Sequence, residues 1–184
     1  MKKLLVNFFG GPGIGKTTAA AGLFVELKKR HIESELISEF PKDAVLEGRS
    51  QALKHQWYTT GTQAYRIDCA YKHHNLQVVI TDSPVLLAPI YDTDSSRALL
   101  DLSFEHHNRY NNMNIVLTRN FEFEHTMVGR VHSHTESVSI DKRITALLDS
   151  LEVPYVTQEE IESAGYELVP ELANQITQYL SEEE

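Results

Sequence analysis

Residues Gly10 to Thr17 read GGPGIGKT, with a glycine at each end of a short loop and Lys-Thr directly after it. The spacing G-x-x-x-x-G-K-[ST] suits one chemistry. The glycines let the backbone wrap so that successive N–H groups face phosphate oxygens. Lys16 then reaches the β- and γ-phosphates, and the Thr17 hydroxyl meets Mg²⁺. Gly11, Pro12, Gly13, Ile14, Gly15, Lys16, Thr17 and Thr18 are therefore expected to cradle a triphosphate, with ATP and Mg²⁺ as cofactors. The helix starting near Lys16 adds its positive dipole end. By itself the loop does not separate a kinase from a switch GTPase or a motor ATPase.

Acids follow two later apolar runs, Asp82 in VVITDSP and Glu39 in ISEFPKD. An acid at the carboxyl end of a strand faces the ligand edge of an open α/β sheet. Asp82 is expected there as a holder of metal-bound water or as a proton acceptor. The general base is left open between Glu39, Asp43 and Asp82, since a base need only reach the reacting hydroxyl. Arg130, beside Gly129 in MVGRVHSH, could bring a guanidinium over the phosphates, and Arg119 is the second candidate. The stretch RSQALKHQWYTTGTQAYRIDCAYKHH offers Trp57 and Tyr58 as aromatics and Gln63 and Arg66 as polar handles for an acceptor, with Lys42 nearby in sequence. The histidines include the adjacent pairs His73-His74 and His106-His107, and no zinc-ligand spacing emerges.

These groups need a frame. Strand-length apolar runs are Lys2–Phe8, a second ending near Glu39, Gln77–Pro84, Asn114–Arg119 and Val153–Thr157. Helical patterns cover Thr17–Arg30, Arg49 to about Asn75 with Gly61 as a bend, Asp94 to about Asn111 with Asp94 as N-cap, Ile140–Leu151 and Val169–Leu180. Pro41–Gly48, Pro84–Thr93 and Phe121–Ser137 read as irregular. Strand and helix alternate, so the class is α/β with a mainly parallel sheet.

The 184 residues suit one domain. A formal net charge of −9 argues against nonspecific nucleic-acid binding and against a long duplex as partner. One cysteine, Cys69, excludes an internal disulfide. No apolar run is long enough to span a bilayer, and MKKLLVNFFGG reads as a buried first strand rather than a leader. No membrane partner and a cytoplasmic location are expected.

FFGGPGIGKTTAAAGL, VVITDSP, ISEFPKD and IVLTRNFEFEHTMVGRVHSHTESVSIDKRI together resemble the small P-loop kinases: thymidylate kinase, deoxynucleoside kinases and nicotinamide riboside kinase-like proteins. EFPKD, the Trp-bearing helix and VVITDSPVLLAPIYD also resemble bacteriophage P-loop kinases that phosphorylate 5-hydroxymethyluracil in DNA. The resemblance implies a P-loop NTPase three-layer sandwich over residues 1–184, strand order 2-3-1-4-5, and an arginine-bearing lid at about 121–137. It implies Lys16, Asp82, Glu39 and Arg130 as catalytic, Thr17 and Asp82 as metal-holding, and Glu39, Lys42, Asp43, Trp57, Gln63 and Arg66 as acceptor-binding. EFPKD departs from the plain Glu-Pro of the deoxynucleoside kinases, which keeps the choice of base open. The expected reaction is transfer of the ATP γ-phosphate to a hydroxyl of a nucleoside-type acceptor, free or in DNA. A nucleoside monophosphate kinase, a polynucleotide end kinase and a slow regulatory ATPase are the alternatives. The guanine-reading N-K-x-D motif is absent, Thr118-Arg119-Asn120 standing without its lysine and aspartate. The oligomeric state is open, a homodimer included.

Overall fold

The computed structural model describes residues 2–38, 40, 48, 55–119 and 134–182. In chain order the elements are β1 (Leu4–Phe9), α1 (Lys16–Lys29), β2 (Ser34–Ile37), α2 (Gln56–Lys72), β3 (Val78–Thr81), α3 (Ala88–Tyr91) after a 3₁₀ turn at Val85–Leu87, α4 (Arg97–His107), β4 (Asn112–Val116), α5 (His134–Ser150), β5 (Val156–Thr157), α6 (Gln158–Ser163) and α7 (Leu168–Ser181).

The five strands lie in the order β2-β3-β1-β4-β5, and every pairing is parallel. β1 is central and all six of its residues are buried, as a strand covered on both faces must be. Leu4, Val6 and Phe8 point to one face, where Ala20, Leu23 and Leu27 of α1 and Leu172, Ala173 and Ile176 of α7 complete a core. On the other face Phe9 meets Leu86, Leu87, Ile90 and the Ile140, Ile144, Leu148 stripe of α5. Leu5 meets Ile67 of α2, Val79 and Val85. This is the α/β P-loop NTPase layering expected from the sequence, and the strand order is the expected one.

Several local expectations change. α2 continues through Gly61 without a break, and an added Cβ there would touch nothing. The apolar run Val85–Tyr91 is not irregular: it coils into a 3₁₀ turn and α3 so that Val85, Leu86, Leu87 and Ile90 can be buried. The α4 cap is Ser96, whose side chain accepts from the Leu99 N–H, rather than Asp94. β4 starts at Asn112 because Asn112 and Asn114 both accept from the buried Asn7 amide, at 2.9 and 3.0 Å. α5 begins at His134, so residues 134–137 of the expected lid are its first turn. Residues 121–133 of that lid, Arg130 among them, lie outside the described residues, as do Glu39, Lys42 and Asp43.

Candidate functional site: the phosphate loop and its neighbours

β1 delivers the chain to Gly10 at the carboxyl edge of the sheet, and the loop turns through positive φ at Gly10 (149°), Gly13 (78°) and Gly15 (106°). The left-handed values at Gly13 and Gly15 suit glycine and strain other residues. At Gly10 an added Cβ would lie 2.6 Å from Ile14 Cγ2, so the turn also needs the missing side chain. Gly15 takes the N-cap position of α1 and supplies no side-chain cap. Open N–H groups at the start of a 14-residue helix are an anion site. Lys16 Nζ donates to the carbonyls of Gly10 at 2.7 Å and Gly11 at 3.1 Å, so the ammonium sits over the loop.

Thr17 faces the neighbouring strand. Its Oγ1 donates to Asp82 Oδ2 at 2.6 Å. Asp82 is 1% exposed, and its Oδ1 has no hydrogen-bond partner among the described residues. The turn that carries it is built for position. Thr81 pairs with Asn7 of β1 and Ile37 of β2, and its Oγ1 accepts from Ser83 N at 3.1 Å and Gln63 Nε2 at 3.2 Å. A threonine hydroxyl beside a buried carboxylate with one open oxygen fits a hard cation bridged to phosphate. Thr17 would hold the ion directly, and Asp82 would hold it or its water.

On the opposite flank Asp141 of α5 reaches the loop. Its Oδ1 accepts from Gly11 N at 2.6 Å, and its Oδ2 from Arg119 Nε at 2.7 Å. Arg119 Nη2 donates to Pro12 O at 3.1 Å and to Asp141 Oδ1 at 3.2 Å. A cleft of about 250 Å³ opens beside this pair, lined by Gly10, Thr118, Lys142, Thr145, Thr157 and Glu159 among others. A larger hollow of about 590 Å³ lies between Glu33 and the His73–Gln77 segment. It sits at the amino edge of the strands, away from the phosphate loop.

The structure thus brings together Gly11 to Thr18, Asp82 and Arg119. Gln63 is buried, with Oε1 accepting from Phe40 N at 3.3 Å and Nε2 bonded to Thr81, so it ties the end of β2 to the end of β3. Trp57 and Tyr58 are half-exposed on the first turn of α2 rather than in the core. Tyr58 makes an edge contact with Phe40, whose ring also lies 5.2 Å from the Arg66 guanidinium. Asp141 was not singled out from the sequence, where an aspartate on a polar helix face has no distinguishing pattern. Among the described residues no group of three or more His, Cys, Asp or Glu could hold a metal ion, and no helix is long and apolar enough to cross a membrane.

A buried strand, a glycine loop, Lys-Thr opening a helix and an acid on the adjacent strand define a nucleotide-binding P-loop domain. The profile of the AAA domain family matches residues 5–160, and the chain belongs to that family. Among solved structures it is similar to the deoxyadenosine kinase of M. mycoides with products dCMP and a flexible dCDP bound, at 18% identity and a TM-score of 0.55 over 95% of this chain and 99% of that one. It is also similar to APE1195 at 17% identity and a TM-score of 0.46, over 96% of each chain. No curated protein sequence matches it.

Proposed function

We propose that the protein is an ATP- and Mg²⁺-dependent kinase that transfers the γ-phosphate to a hydroxyl of a nucleoside-type acceptor, with a hydroxymethylated pyrimidine in phage DNA as a candidate. The Thr17–Asp82 pair carries the proposal. It would hold a metal beside the phosphates, on the strand next to the loop, and the second carboxylate oxygen has no hydrogen-bond partner among the described residues. Membership in a P-loop family supports nucleotide binding, and a deoxyadenosine kinase is built on the same architecture.

Phosphoryl transfer needs positioning and charge neutralisation more than covalent help from the protein. Loop amides and the α1 terminus would bind phosphate oxygens, Lys16 would meet the β- and γ-phosphates, and Thr17 and Asp82 would hold a Mg²⁺ that supplies charge neutralisation there. The cleft beside Gly10 has room for the nucleotide base. Because Asp82 is engaged with Thr17, it suits the metal shell, and Glu39 or Asp43 is then the better candidate to take the acceptor's proton. Trp57 and Tyr58 on the first turn of α2 and Arg66 further along the helix offer planar and cationic contacts to an acceptor base, and Lys42 is a further candidate from the sequence. Gln63, committed at both ends of its amide, would shape that wall rather than read the base.

The test is transfer of labelled γ-phosphate to nucleosides, nucleoside monophosphates, nicotinamide riboside, and DNA with and without hydroxymethylated pyrimidines. Product on a hydroxyl that vanishes in Lys16→Ala is expected. Phosphorylation only of a monophosphate's phosphate, or only of DNA ends, would replace the acceptor assignment. Slow phosphate release with every acceptor would leave a regulatory ATPase.

A further inference from the structure

We infer that Asp141 and Arg119 are positioning residues that brace the front half of the phosphate loop while nucleotide is bound, a role the loop motif does not assign. The inference rests on the loop being a triphosphate site and on no choice of acceptor. Asp141 receives three N–H bonds: Gly11 N at 2.6 Å, Arg119 Nε at 2.7 Å and Arg119 Nη2 at 3.2 Å. Arg119 then returns to the loop at the Pro12 carbonyl, at 3.1 Å. The amide of Gly11 and the carbonyl of Pro12 are thus both fixed by one charged pair. The pair is well shielded, with the Arg119 side chain 7% and the Asp141 side chain 23% exposed. Charge-assisted bonds of this kind are shorter and stronger than neutral ones.

The loop is also held from inside. Lys16 Nζ bonds the carbonyls of Gly10 and Gly11. The ammonium has three N–H donors, so β- and γ-oxygens would compete with those carbonyls for them. The Asp141–Arg119 pair holds the Gly11 amide and the Pro12 carbonyl independently of that competition. Its worth should therefore appear in nucleotide affinity as well as in stability. Gly11 has no room for a side chain beneath this brace. An added Cβ would lie 2.7 Å from Asp141 Oδ1 and 2.8 Å from the Ser137 carbonyl oxygen, so Gly11→Ala should pry the brace open.

A purely structural tie between the end of β4 and α5 would lower stability and leave affinity alone. Arg143 provides the comparison, because it donates to Ile90 O at 2.7 Å, linking α5 to α3 without touching the loop. The experiment measures binding of a nonhydrolysable ATP analogue with Mg²⁺ to the full chain, thermal unfolding of the same samples, and hydrogen exchange at the Gly11 amide. Asp141→Ala and Gly11→Ala should each weaken binding about tenfold or more (about 1.4 kcal/mol) and speed Gly11 exchange. Asp141→Asn should fall between them and wild type, since its Oδ1 can still accept from Gly11 while its amide cannot pair with Arg119. Arg143→Ala should lower the unfolding temperature with unchanged affinity. Affinity within about twofold of wild type in folded Asp141→Ala, or in Gly11→Ala where Asp141→Ala does not fold, overturns the brace. So does an equal loss of affinity in Arg143→Ala. Wild type that binds no analogue at all would instead overturn the triphosphate site itself.

Discussion

Replacing Asp82 by asparagine should raise the stability of the ligand-free protein while removing most of its activity. Asp82 is 1% exposed, one oxygen takes the Thr17 hydroxyl at 2.6 Å, and the other has no partner among the described residues. Asparagine keeps an acceptor for Thr17 and removes a buried charge, whose desolvation costs several kcal/mol. Its amide inherits the empty position at a cost of about 1–3 kcal/mol. The net gain is about 1 kcal/mol, or roughly 2–4 °C for a chain of this size. Magnesium and nucleotide should reverse the order. At a nucleotide concentration 100 times the wild-type Kd, binding adds about 2.7 kcal/mol. A variant that binds a hundredfold more weakly gains only about 0.4 kcal/mol at the same concentration. Wild type then becomes the more stable by about 1 kcal/mol. Turnover should fall by about 100-fold or more, the scale for losing a positioned acid or metal holder. Thermal unfolding of both proteins, with and without Mg²⁺ and an ATP analogue, reads the inversion, and single-turnover transfer reads the rate. A lower unfolding temperature for the ligand-free variant would show that the carboxylate is chiefly a structural tie for Thr17. An unchanged order with ligand, or a rate loss below about 3-fold, would remove Asp82 from the metal site.

Two further outcomes concern the frame. Gly61→Ala should stabilise the protein by about 1 kcal/mol, because the glycine is inside α2 and its Cβ position is open; a fall in unfolding temperature would mean that α2 does not run straight through it. His107 is buried and held at about 4, first by that burial and then by its neighbour His106, whereas the ordinary value is 6.5. Between those values the unfolded chain holds the extra proton, so stability falls as pH drops through the window, by on the order of 3 kcal/mol in full. His106 adds to the same trend, with burial lowering it against the opposing pull of Asp68. Urea unfolding at pH 7 and pH 5 should show the loss, and His107→Gln should flatten it; an unchanged slope in that variant would place the effect elsewhere.

The phosphate loop was legible because its chemistry is written in backbone freedom, and backbone freedom is written in glycine. The α/β class followed from the alternation of elements, and the strand order from the P-loop resemblance. Apolar patterning failed where polar groups do the burying. Asn112 looks like a loop residue, yet it joins Asn7 and Asn114 in a part-buried amide ladder inside the sheet, so β4 starts two residues before the expected Asn114. α6 was missed although Thr157-x-x-Glu160 spells a capping box, and both of its hydrogen bonds are present. The deeper difficulty is with isolated acids, whose meaning lies in partners far along the chain. Asp82 and Asp141 each stand in sequence as an aspartate beside a polar or charged neighbour. In space they are opposites. Among the described residues Asp82 has a single hydroxyl donor, 65 residues away, and an oxygen with no hydrogen-bond partner. Asp141 takes its donors from positions 130 and 22 residues away. A carboxylate with an open oxygen can still accept a cation, whereas one already bonded to a guanidinium and an amide has little left to offer a ligand. Counting donors around each oxygen, rather than the type or spacing of the residue, separates the acid that can meet magnesium from the acid that holds the loop in place.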